Sequence, residues 1–333
     1  MNEETAGALP LCVLIATGGT IAMKVDPVLD APVPALSGEE LLATVPGLAK
    51  VARLEVNNLS NVPSDYINPE RWVELQRVVS AAVLRDDIVG VMVSHGTDTL
   101  EETAWFLNLT VATAKPVVLV GAQRNASEFD FDGPRNLLNS ARVCVARDAC
   151  NKGVMIAMNN QINAAREAVK THTAGVESFK SGEFGFLGTI DGERAVFSRS
   201  PLRRQHIELD GSDLPRVDIV AMYGGADGAL VRAAATAGAR GIVIQGLGFG
   251  NVNEAMFEAI CCAIEAGVHV VVSTRVPNGS VRPHYGFAGG GKTLRDAGAV
   301  FADGLSPQKA RILLMLALQA PTTPEQLQRV FDR

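Results

Sequence analysis

The sequence predicts a two-domain α/β protein in which each domain is built on a parallel sheet. Short runs of β-branched residues alternate along the chain with amphipathic segments, which is the pattern of a sheet covered by helices. The runs are continuously hydrophobic, as expected for parallel strands with both faces buried. The chain has 333 residues, 47% of them hydrophobic, so it can bury a large core and is long enough for two domains.

The large N-terminal domain begins with four apolar runs that we predict as buried strands. They cover residues 11–16, 88–93, 116–120 and 154–158. Ser37 followed by Glu40 predicts a capping box at the start of one helix, and Asn68 followed by Pro69 predicts the start of another. The residues that share the apolar face of this second helix are Trp72, Leu75, Val79 and Ala82.

A polar, charged stretch, PLRRQHIELDGSDLP, interrupts the alternation of strands and helices at residues 201–215. We therefore predict a large N-terminal α/β domain over 1–203, a linker over 204–215 and a smaller α/β domain over 216–333. The elements predicted in the smaller domain are strands at 217–222, 241–245 and 268–273 and two closing helices that start at Ser306 and Thr323.

Composition excludes several classes of partner. The net charge is −6 and the 30 lysines and arginines are scattered, so we expect no nucleic acid and no anionic membrane as a partner. The cysteines lack metal-ligand spacing and lie mostly in apolar runs, so we expect reduced thiols and no metal site. They are Cys12, Cys144, Cys150, Cys261 and Cys262. The N-terminus lacks a basic region and its short apolar run leads into a glycine turn, so we predict a first strand, no membrane helix and a cytoplasmic location.

The first strand ends in TGGTIA, residues 17–22. Two glycines allow a sharp turn at the carboxyl end of the strand, where open α/β sheets bind ligands, and they leave the hydroxyl of Thr20 uncrowded. On this segment alone a phosphate-binding loop is an equal alternative, although the third glycine of a dinucleotide fingerprint is missing.

A second predicted strand ends in HGTDT, residues 95–99. This turn carries two hydroxyls and a carboxylate and can aim backbone N–H groups at a developing oxyanion. Thr99 with Glu102 predicts a further capping box, and capping alone is the alternative role for these polar side chains. We predict that His95 is structural, with its imidazole bonded to nearby backbone.

A third polar stretch, residues 166–173, contains Lys170 among hydroxyl side chains. A lysine acts as a general base only where its surroundings lower its pKa, so Lys170 taken alone is a surface lysine.

Taken together, TGGTIA, HGTDTLEETAWFLNLT and Lys170, in this order and spacing, resemble the bacterial L-asparaginase and glutaminase family. The similarity runs from Leu11 to the closing SPQKARILLMLAL. It implies that Thr20 is the nucleophile and that Thr97 is a second catalytic threonine. It also implies that Lys170 is hydrogen-bonded to Thr97, with Asp98 alongside. Covalent catalysis of this kind forms an acyl-enzyme without a metal or cofactor.

The same resemblance implies a binding site for a small amide, L-asparagine first and glutamine second. Ser60 matches the serine that binds the substrate carboxylate, and Asp98 is expected to bind its amino group as well. The other expected substrate-binding residues are Gly19, Asn61, Gly96 and Asn251. Asn251 matches a residue that the family donates from a neighbouring subunit, so a homotetramer of two intimate dimers is implied.

The chain departs from the family pattern in the segment after the nucleophile. Residues 23–36, MKVDPVLDAPVPAL, contain three prolines and no tyrosine, whereas the family usually places a tyrosine there. The chain's tyrosines are Tyr66, Tyr223 and Tyr285. Asn61 stands where many relatives have glutamine, and the acidic residue that the family's neighbouring subunit supplies has no clear counterpart. These differences leave D-asparagine, glutamine or an N-substituted asparagine as alternative substrates.

Three other functions compete with this interpretation. Residues 286–293, GFAGGGKT, fit the phosphate-loop pattern, but no strand precedes them directly, as nucleotide binding would require. A non-catalytic amide-binding module on the same fold is a second alternative. The third, an amidotransferase subunit acting on charged tRNA, is disfavoured by the acidic charge and by a first strand that begins near residue 10.

Overall fold

The computed structural model describes residues 8–211 and 213–333. The chain divides into two compact units between His206 and Ile207. This division lies within the segment 204–215 that the sequence analysis assigns to the linker.

The first unit contains an eight-stranded sheet and two small hairpins. The strands in its described part are β1 (Leu11–Gly18), β2 (Met23–Asp26), β3 (Ala31–Pro34), β4 (Arg53–Val62), β5 (Ile88–Ser94), β6 (Val117–Val120), β7 (Val154–Met158), β8 (Gln161–Ala164), β9 (Val169–Lys170), β10 (Phe179–Lys180), β11 (Gly188–Asp191) and β12 (Arg194–Phe197). The order in the large sheet is β12-β11-β8-β7-β6-β5-β1-β4. Strands β4, β1, β5, β6 and β7 are parallel, and β8, β11 and β12 continue the sheet antiparallel.

The four strands predicted for this domain are confirmed as β1, β5, β6 and β7. Every residue of β6 and β7 is buried, and so is β1 after its first residue. Helices therefore cover both faces of the sheet, which is why these strands read as continuous apolar runs instead of alternating ones.

The helices of the first unit are α1 (Gly38–Ala43), α2 (Pro69–Val83), α3 (Leu100–Thr110) and α4 (Gly133–Val145). Helices α2 and α3 pack against β5 and β7, respectively, and α4 packs against β5, β6 and β7. A core cluster joins α1 and α4 to the sheet and includes Leu14, Met92, Leu137 and Ala141. Fully burying one leucine or methionine contributes about 1.5–3 kcal/mol, so this cluster holds the strand ends in fixed register.

Two of the three helix starts predicted in this unit are confirmed. The Ser37–Glu40 capping box is present, and Asn68 accepts a hydrogen bond from Arg71 N at 3.1 Å. The capping box predicted at Thr99 is wrong: Thr99 Oγ1 instead donates to Ser64 O at 2.8 Å. The capping-box motif predicts that the Thr99 hydroxyl bonds the first turn of its own helix. It bonds the Ser64 carbonyl instead, because Ser64, although distant in sequence, lies directly beside this turn.

Strands β2 and β3 form a hairpin from the proline-rich segment that follows TGGTIA, with Met23 opposite Pro34. Asp26 Oδ1 accepts hydrogen bonds from Val28 N and Leu29 N, which closes the turn at the exposed tip. The proline rings fix φ at values that suit an extended edge strand, so the segment is ordered without glycine.

The second unit is a four-stranded parallel sheet with the order β13-β14-β15-β16. Its elements are β13 (Val217–Ala221), α5 (Ala229–Thr236), β14 (Gly241–Gly246), α6 (Glu254–Glu265), β15 (His269–Thr274), α7 (Gly291–Asp296), β16 (Val300–Phe301), α8 (Pro307–Ala317) and α9 (Pro324–Phe331). The three predicted strands are confirmed as β13, β14 and β15. The two closing helices start after Ser306 and Thr323 as predicted, the second with a complete capping box. Across the described residues, we find no helix with the length and apolar character needed to cross a membrane.

Candidate active site

The candidate site lies at one edge of the large sheet, where three neighbouring parallel strands end. Strand β1 lies between β4 and β5, so their carboxyl ends meet at the same edge. Ser60 lies near the end of β4, and the turns after β1 and β5 contain Thr20 and Thr97, respectively. The sequence predicted both turns from their own motifs, and the strand order brings them and Ser60 to the same edge.

The turn after β1 is shaped by close backbone contacts. Gly18 and Gly19 have φ of +104° and +82°, values that residues with a side chain rarely adopt. A Cβ on Gly19 would lie 2.2 Å from Gly96 Cα, so the two backbones touch. Because Thr20 follows Gly19 and Thr97 follows Gly96, this contact places the two threonines on adjacent turns.

Thr20 begins a short 3₁₀ turn, Thr20–Ala22, and is partly exposed, while the next two residues are buried. Ile21 belongs to the core cluster beneath the sheet edge. Ile21 thus fixes the turn to the core, and Thr20, which carries the hydroxyl, stays partly exposed at the surface.

Lys170 connects to the turn after β5. Its Nζ donates to Thr97 Oγ1 at 2.8 Å and to Asp98 Oδ1 at 2.6 Å. The contact between Lys170 and Thr97 that the family resemblance implies is therefore present. The Lys170 side chain is 14% exposed and that of Asp98 is 62% exposed, so the amine lies between a buried hydroxyl and a solvated carboxylate.

Glu101, which the sequence analysis did not single out, holds Lys170 from the main-chain side. Its Oε2 accepts a hydrogen bond from Lys170 N at 2.5 Å. Glu101 lies in the first turn of α3 and is 7% exposed. The helix that follows Thr97 thereby also fixes the strand that carries Lys170. The available signal was an acidic residue in the first turn of the helix predicted after the HGTDT motif, although the sequence offered no partner for it.

Gly121 is a second residue that the sequence analysis missed. A Cβ here would lie 2.9 Å from His95 O and 3.0 Å from Thr97 Cγ2. It follows the end of β6, just as Gly96 follows β5, and this repeated position of glycine after a strand was the available signal. The Gly121 backbone packs directly against the threonine turn and leaves no room for a side chain.

Ser60 and Asn61 form the third side of the site. Ser60 Oγ donates to Thr17 O at 3.0 Å, and Asn61 Nδ2 donates to Leu36 O at 3.3 Å. Ser64, a few residues on, packs against Gly96, where a Cβ would lie 2.8 Å from Ser64 Oγ. The end of β4 and the residues just after it thus contact the end of β1 at Thr17 and the turn after β5 at Gly96. Asn61 is exposed at this surface.

His95 is fully buried, and its ring bonds backbone as predicted. Nδ1 lies 2.7 Å from Gly96 O, and Nε2 lies 2.9 Å from Thr103 Oγ1. Burial disfavours the charged ring and lowers the pKa of His95 to about 4. The imidazole is therefore neutral at pH 7.

The three tyrosines are divided between the two units. Tyr66 is in the first unit, exposed, two residues after Ser64. Tyr223 and Tyr285 belong to the second unit, where Tyr285 stacks with Phe249 and Phe287. Asn251 is also in the second unit and forms a bridge with Leu247 after β14.

The phosphate-loop pattern at residues 286–293 uses its polar side chains internally. Thr293 Oγ1 lies 2.8 Å from Phe287 O and 2.9 Å from Gly290 O, and Lys292 pairs with Asp296 one turn along α7. The preceding strand β15 ends at Thr274. The lysine and threonine that a phosphate loop would direct at a nucleotide are bonded within their own loop and helix.

Comparison with known proteins gives one consistent family. The model of the asparaginase N-terminal domain matches residues 12–203, and the model of the glutaminase/asparaginase C-terminal domain matches residues 216–331. The protein named L-asparaginase 2 from Bacillus subtilis is 37% identical over 97% of this chain and 86% of its own length. A probable periplasmic L-asparaginase from Haemophilus influenzae is 38% identical over 100% of this chain and 95% of its own length.

A solved structure agrees with these matches. The crystal structure of a probable cytoplasmic L-asparaginase from Campylobacter jejuni superimposes with a TM-score of 0.87 at 34% identity. The superposition covers 97% of this chain and 99% of the Campylobacter chain. The similarity therefore extends over both units of the fold.

Proposed function

This chain belongs to the asparaginase family of hydrolases that act on amides, and we propose that it converts L-asparagine to L-aspartate and ammonia through an ester on Thr20. The observation that supports this most is the contact of Lys170 Nζ with both Thr97 and Asp98, at the sheet edge that presents Thr20. An amine, a hydroxyl and a carboxylate in one hydrogen-bonded group can move the protons that amide hydrolysis requires.

In the first half of the reaction, Thr20 Oγ1 attacks the carbon of the side-chain amide. Its proton passes to the hydrogen-bonded pair formed by Thr97 and Lys170. The C–N bond then breaks, the nitrogen leaves as ammonia after gaining a proton, and an ester joins the acyl group to Thr20.

In the second half, water attacks the ester carbon and the bond to Thr20 Oγ1 breaks. Aspartate leaves and the threonine hydroxyl regains its proton. Thr97 and Lys170 take the proton that the attacking water loses and pass it to Thr20 Oγ1, so the pair ends each half of the reaction as it began.

The substrate is held through its polar groups at the same sheet edge. Asp98 binds the α-amino group, because its carboxylate is exposed beside Thr97. Ser60 binds the α-carboxylate from the neighbouring strand end, and Gly19, Gly96 and Asn61 line the rest of the site. The backbones of Gly19 and Gly96 touch, so the two threonines that follow these glycines lie on adjacent turns of the site.

We further propose that the protein is a cytoplasmic homotetramer made of two intimate dimers, in which Asn251 completes the site of a neighbouring subunit. Support comes from the family resemblance, in which the residue matching Asn251 is donated by a neighbouring subunit; Asn251 belongs to the second unit, after β14. Relatives are named for both the cytoplasm and the periplasm, so fractionation of the native cells tests the location directly.

Ammonia release by the purified protein tests the proposed reaction. The substrates are L-asparagine, D-asparagine, L-glutamine and N-substituted asparagines, each measured beside the Thr20→Ala variant. We expect L-asparagine to be the fastest and Thr20→Ala to release none. Ammonia release from another amide but not from L-asparagine would contradict L-asparagine as the substrate. No release from any amide would favour the non-catalytic binding-module alternative.

A further inference from the structure

A chain of buried hydrogen bonds runs from α2 through α3 to the turn that carries Thr97. Trp72 Nε1 donates to Thr103 Oγ1 at 2.9 Å, and Thr103 Oγ1 lies 2.9 Å from His95 Nε2. His95 Nδ1 lies 2.7 Å from Gly96 O. Trp72 is 2% exposed, and Thr103 and His95 are 0% exposed.

The direction of each proton in this chain follows from the atoms involved. A carbonyl oxygen only accepts, so His95 Nδ1 must carry the hydrogen that it donates to Gly96 O. The buried ring is neutral, so Nε2 has no hydrogen and accepts one from Thr103. An indole N–H only donates, so the lone pair of Thr103 Oγ1 accepts from Trp72. With this one set of hydrogen positions, every donor in the series of hydrogen bonds from Trp72 to Gly96 has an acceptor.

The chain ends on the peptide that links Gly96 to Thr97. The His95 ring holds the Gly96 carbonyl from one side, and Gly19 and Ser64 pack against the Gly96 backbone. On the far side of this peptide, Thr97 contacts the Gly121 backbone and receives Lys170 Nζ. The orientation of the peptide therefore sets the direction of the Thr97 hydroxyl.

We propose that Trp72 and Thr103 are positioning residues which, through the Nδ1–H tautomer of His95, hold the Gly96–Thr97 peptide in the orientation that catalysis needs. Neither residue touches the proposed substrate site; both act through His95. The inference rests on the proposed function only for the role of Thr97, since the tautomer and its partners follow from the buried contacts themselves.

Matched threonine variants test this positioning role. Thr103→Val removes the hydroxyl and keeps the shape, and Thr103→Ser keeps the hydroxyl. Thr110→Val removes another buried hydroxyl of α3, which donates within its own helix to Phe106 O. We expect kcat to fall roughly 10- to 100-fold in Thr103→Val with KM changed little, because a small displacement of a catalytic group has effects of this size. Thr103→Ser should restore most of kcat, and Thr110→Val should leave it unchanged.

A purely structural role for Thr103 predicts a different pattern. Both valine variants would then lower the melting temperature alike, and kcat per folded molecule would stay at the wild-type value in each. That result would overturn the proposal.

The tautomer can be measured in the wild-type protein even if Thr103→Val does not fold. Nitrogen NMR of protein labelled at its five histidines distinguishes a protonated Nδ1 from a protonated Nε2, and the His95 signals are those missing from His95→Gln. We expect a neutral His95 ring with hydrogen on Nδ1 at pH 7. A ring with hydrogen on Nε2, or on both nitrogens, would overturn the proposal.

The two proposals fail separately in these experiments. An active Thr97→Ala variant would overturn the role of Thr97 and with it the proposed function, whatever the His95 tautomer is. An inactive Thr97→Ala beside a fully active, folded Thr103→Val would overturn the positioning role alone.

Discussion

At the scale of single residues, the surroundings of Lys170 decide its chemistry. Its amine contacts a hydroxyl that is 4% exposed and a carboxylate that is 62% exposed. Ion pairs with such an exposed member contribute only about 0–1 kcal/mol to folding. The position of Lys170 is therefore better explained by proton transfer to and from Thr97 than by stability.

The variant Lys170→Met separates these two roles. We expect turnover to fall by roughly 10²- to 10⁴-fold, the usual contribution of a positioned acid or base, and the free energy of unfolding to change by less than about 1 kcal/mol. Lys180→Met is the matched control, because Lys180 lies on the adjacent strand β10 and pairs with Glu177. Equal activity in the two variants would contradict the role of Lys170.

The buried ring of His95 predicts a loss of stability in mild acid. Its pKa is about 4 in the folded protein, against 6.5 for the unperturbed side chain. The unfolded chain therefore binds a proton that the folded chain does not, and stability falls as the pH decreases from 6.5 towards 4. Between pH 7.5 and pH 5 we expect His95 to account for about 2 kcal/mol.

Urea denaturation at these two pH values, compared with His95→Asn, isolates this contribution. The variant should show a shallower loss of stability, because its side chain does not titrate. If the variant does not fold, NMR titration of wild-type His95 replaces it. A ring that is already protonated at pH 6 would contradict the prediction.

Single residues were predictable where a motif fixes both identity and place. The order and spacing of the family motifs predict Thr20, Thr97 and Lys170, and the contact of Lys170 with Thr97 is present at 2.8 Å. The predicted bond of the His95 ring to nearby backbone is present as well. Glu101 and Gly121 were not predictable, because their partners come from segments far away along the chain. The hydroxyl of Thr99 was assigned wrongly for the same reason, since Ser64 competes for it.

At the scale of elements, the carboxyl ends of β1 and β5 can form the site only because glycine backbones touch there. The variant Gly19→Ala would place a methyl group 2.2 Å from Gly96 Cα and would also strain a residue at φ +82°. We expect activity to be lost and the free energy of unfolding to fall by about 3 kcal/mol or more, the effect of overpacking added to that of backbone strain.

The control for this prediction is Gly192→Ala, between β11 and β12. Gly192 also has a positive φ, +57°, but a Cβ there meets nothing within 4 Å. This variant should lose only about 1–2 kcal/mol, the cost of the left-handed conformation, and should stay active. Equal effects in both variants would show that strain, and not the contact with Gly96, determines the result.

Strands were predictable from the sequence where all of their residues favour the same type of secondary structure. Strands β1, β5, β6 and β7 are buried on both faces, so their apolar runs identify them. The β2–β3 hairpin was not predicted, because its prolines argue against a strand unless that strand lies at an edge. The two-residue strand that carries Lys170 is too short for any periodic pattern, and its pairing with β10 depends on the fold around it.

At the scale of the whole molecule, the proposed assembly predicts complementation between inactive subunits. A protomer with Thr20→Ala lacks the nucleophile, and one with Asn251→Ala lacks the group given to a neighbour. In mixed dimers, one of the two sites would contain both native residues, so random mixing restores roughly a quarter of the sites. Ammonia release by co-purified mixtures checks this.

Each variant purified alone is the control for complementation, and both should be nearly inactive. Mixtures that stay inactive, or an Asn251→Ala protein with full activity, would contradict the contribution of Asn251 from a neighbour. The two-domain organisation itself followed from the alternating pattern and its interruption at 201–215. The boundaries at 203 and 216 stay a prediction.

Mass spectrometry of the protein quenched in acid during turnover of L-asparagine would detect the proposed ester on Thr20. We expect an aspartyl ester on the peptide that contains Thr20, present in the wild type and missing in Thr20→Ala. Wild-type protein that turns over without any adduct, or an adduct on Thr97 instead of Thr20, would contradict this proposal.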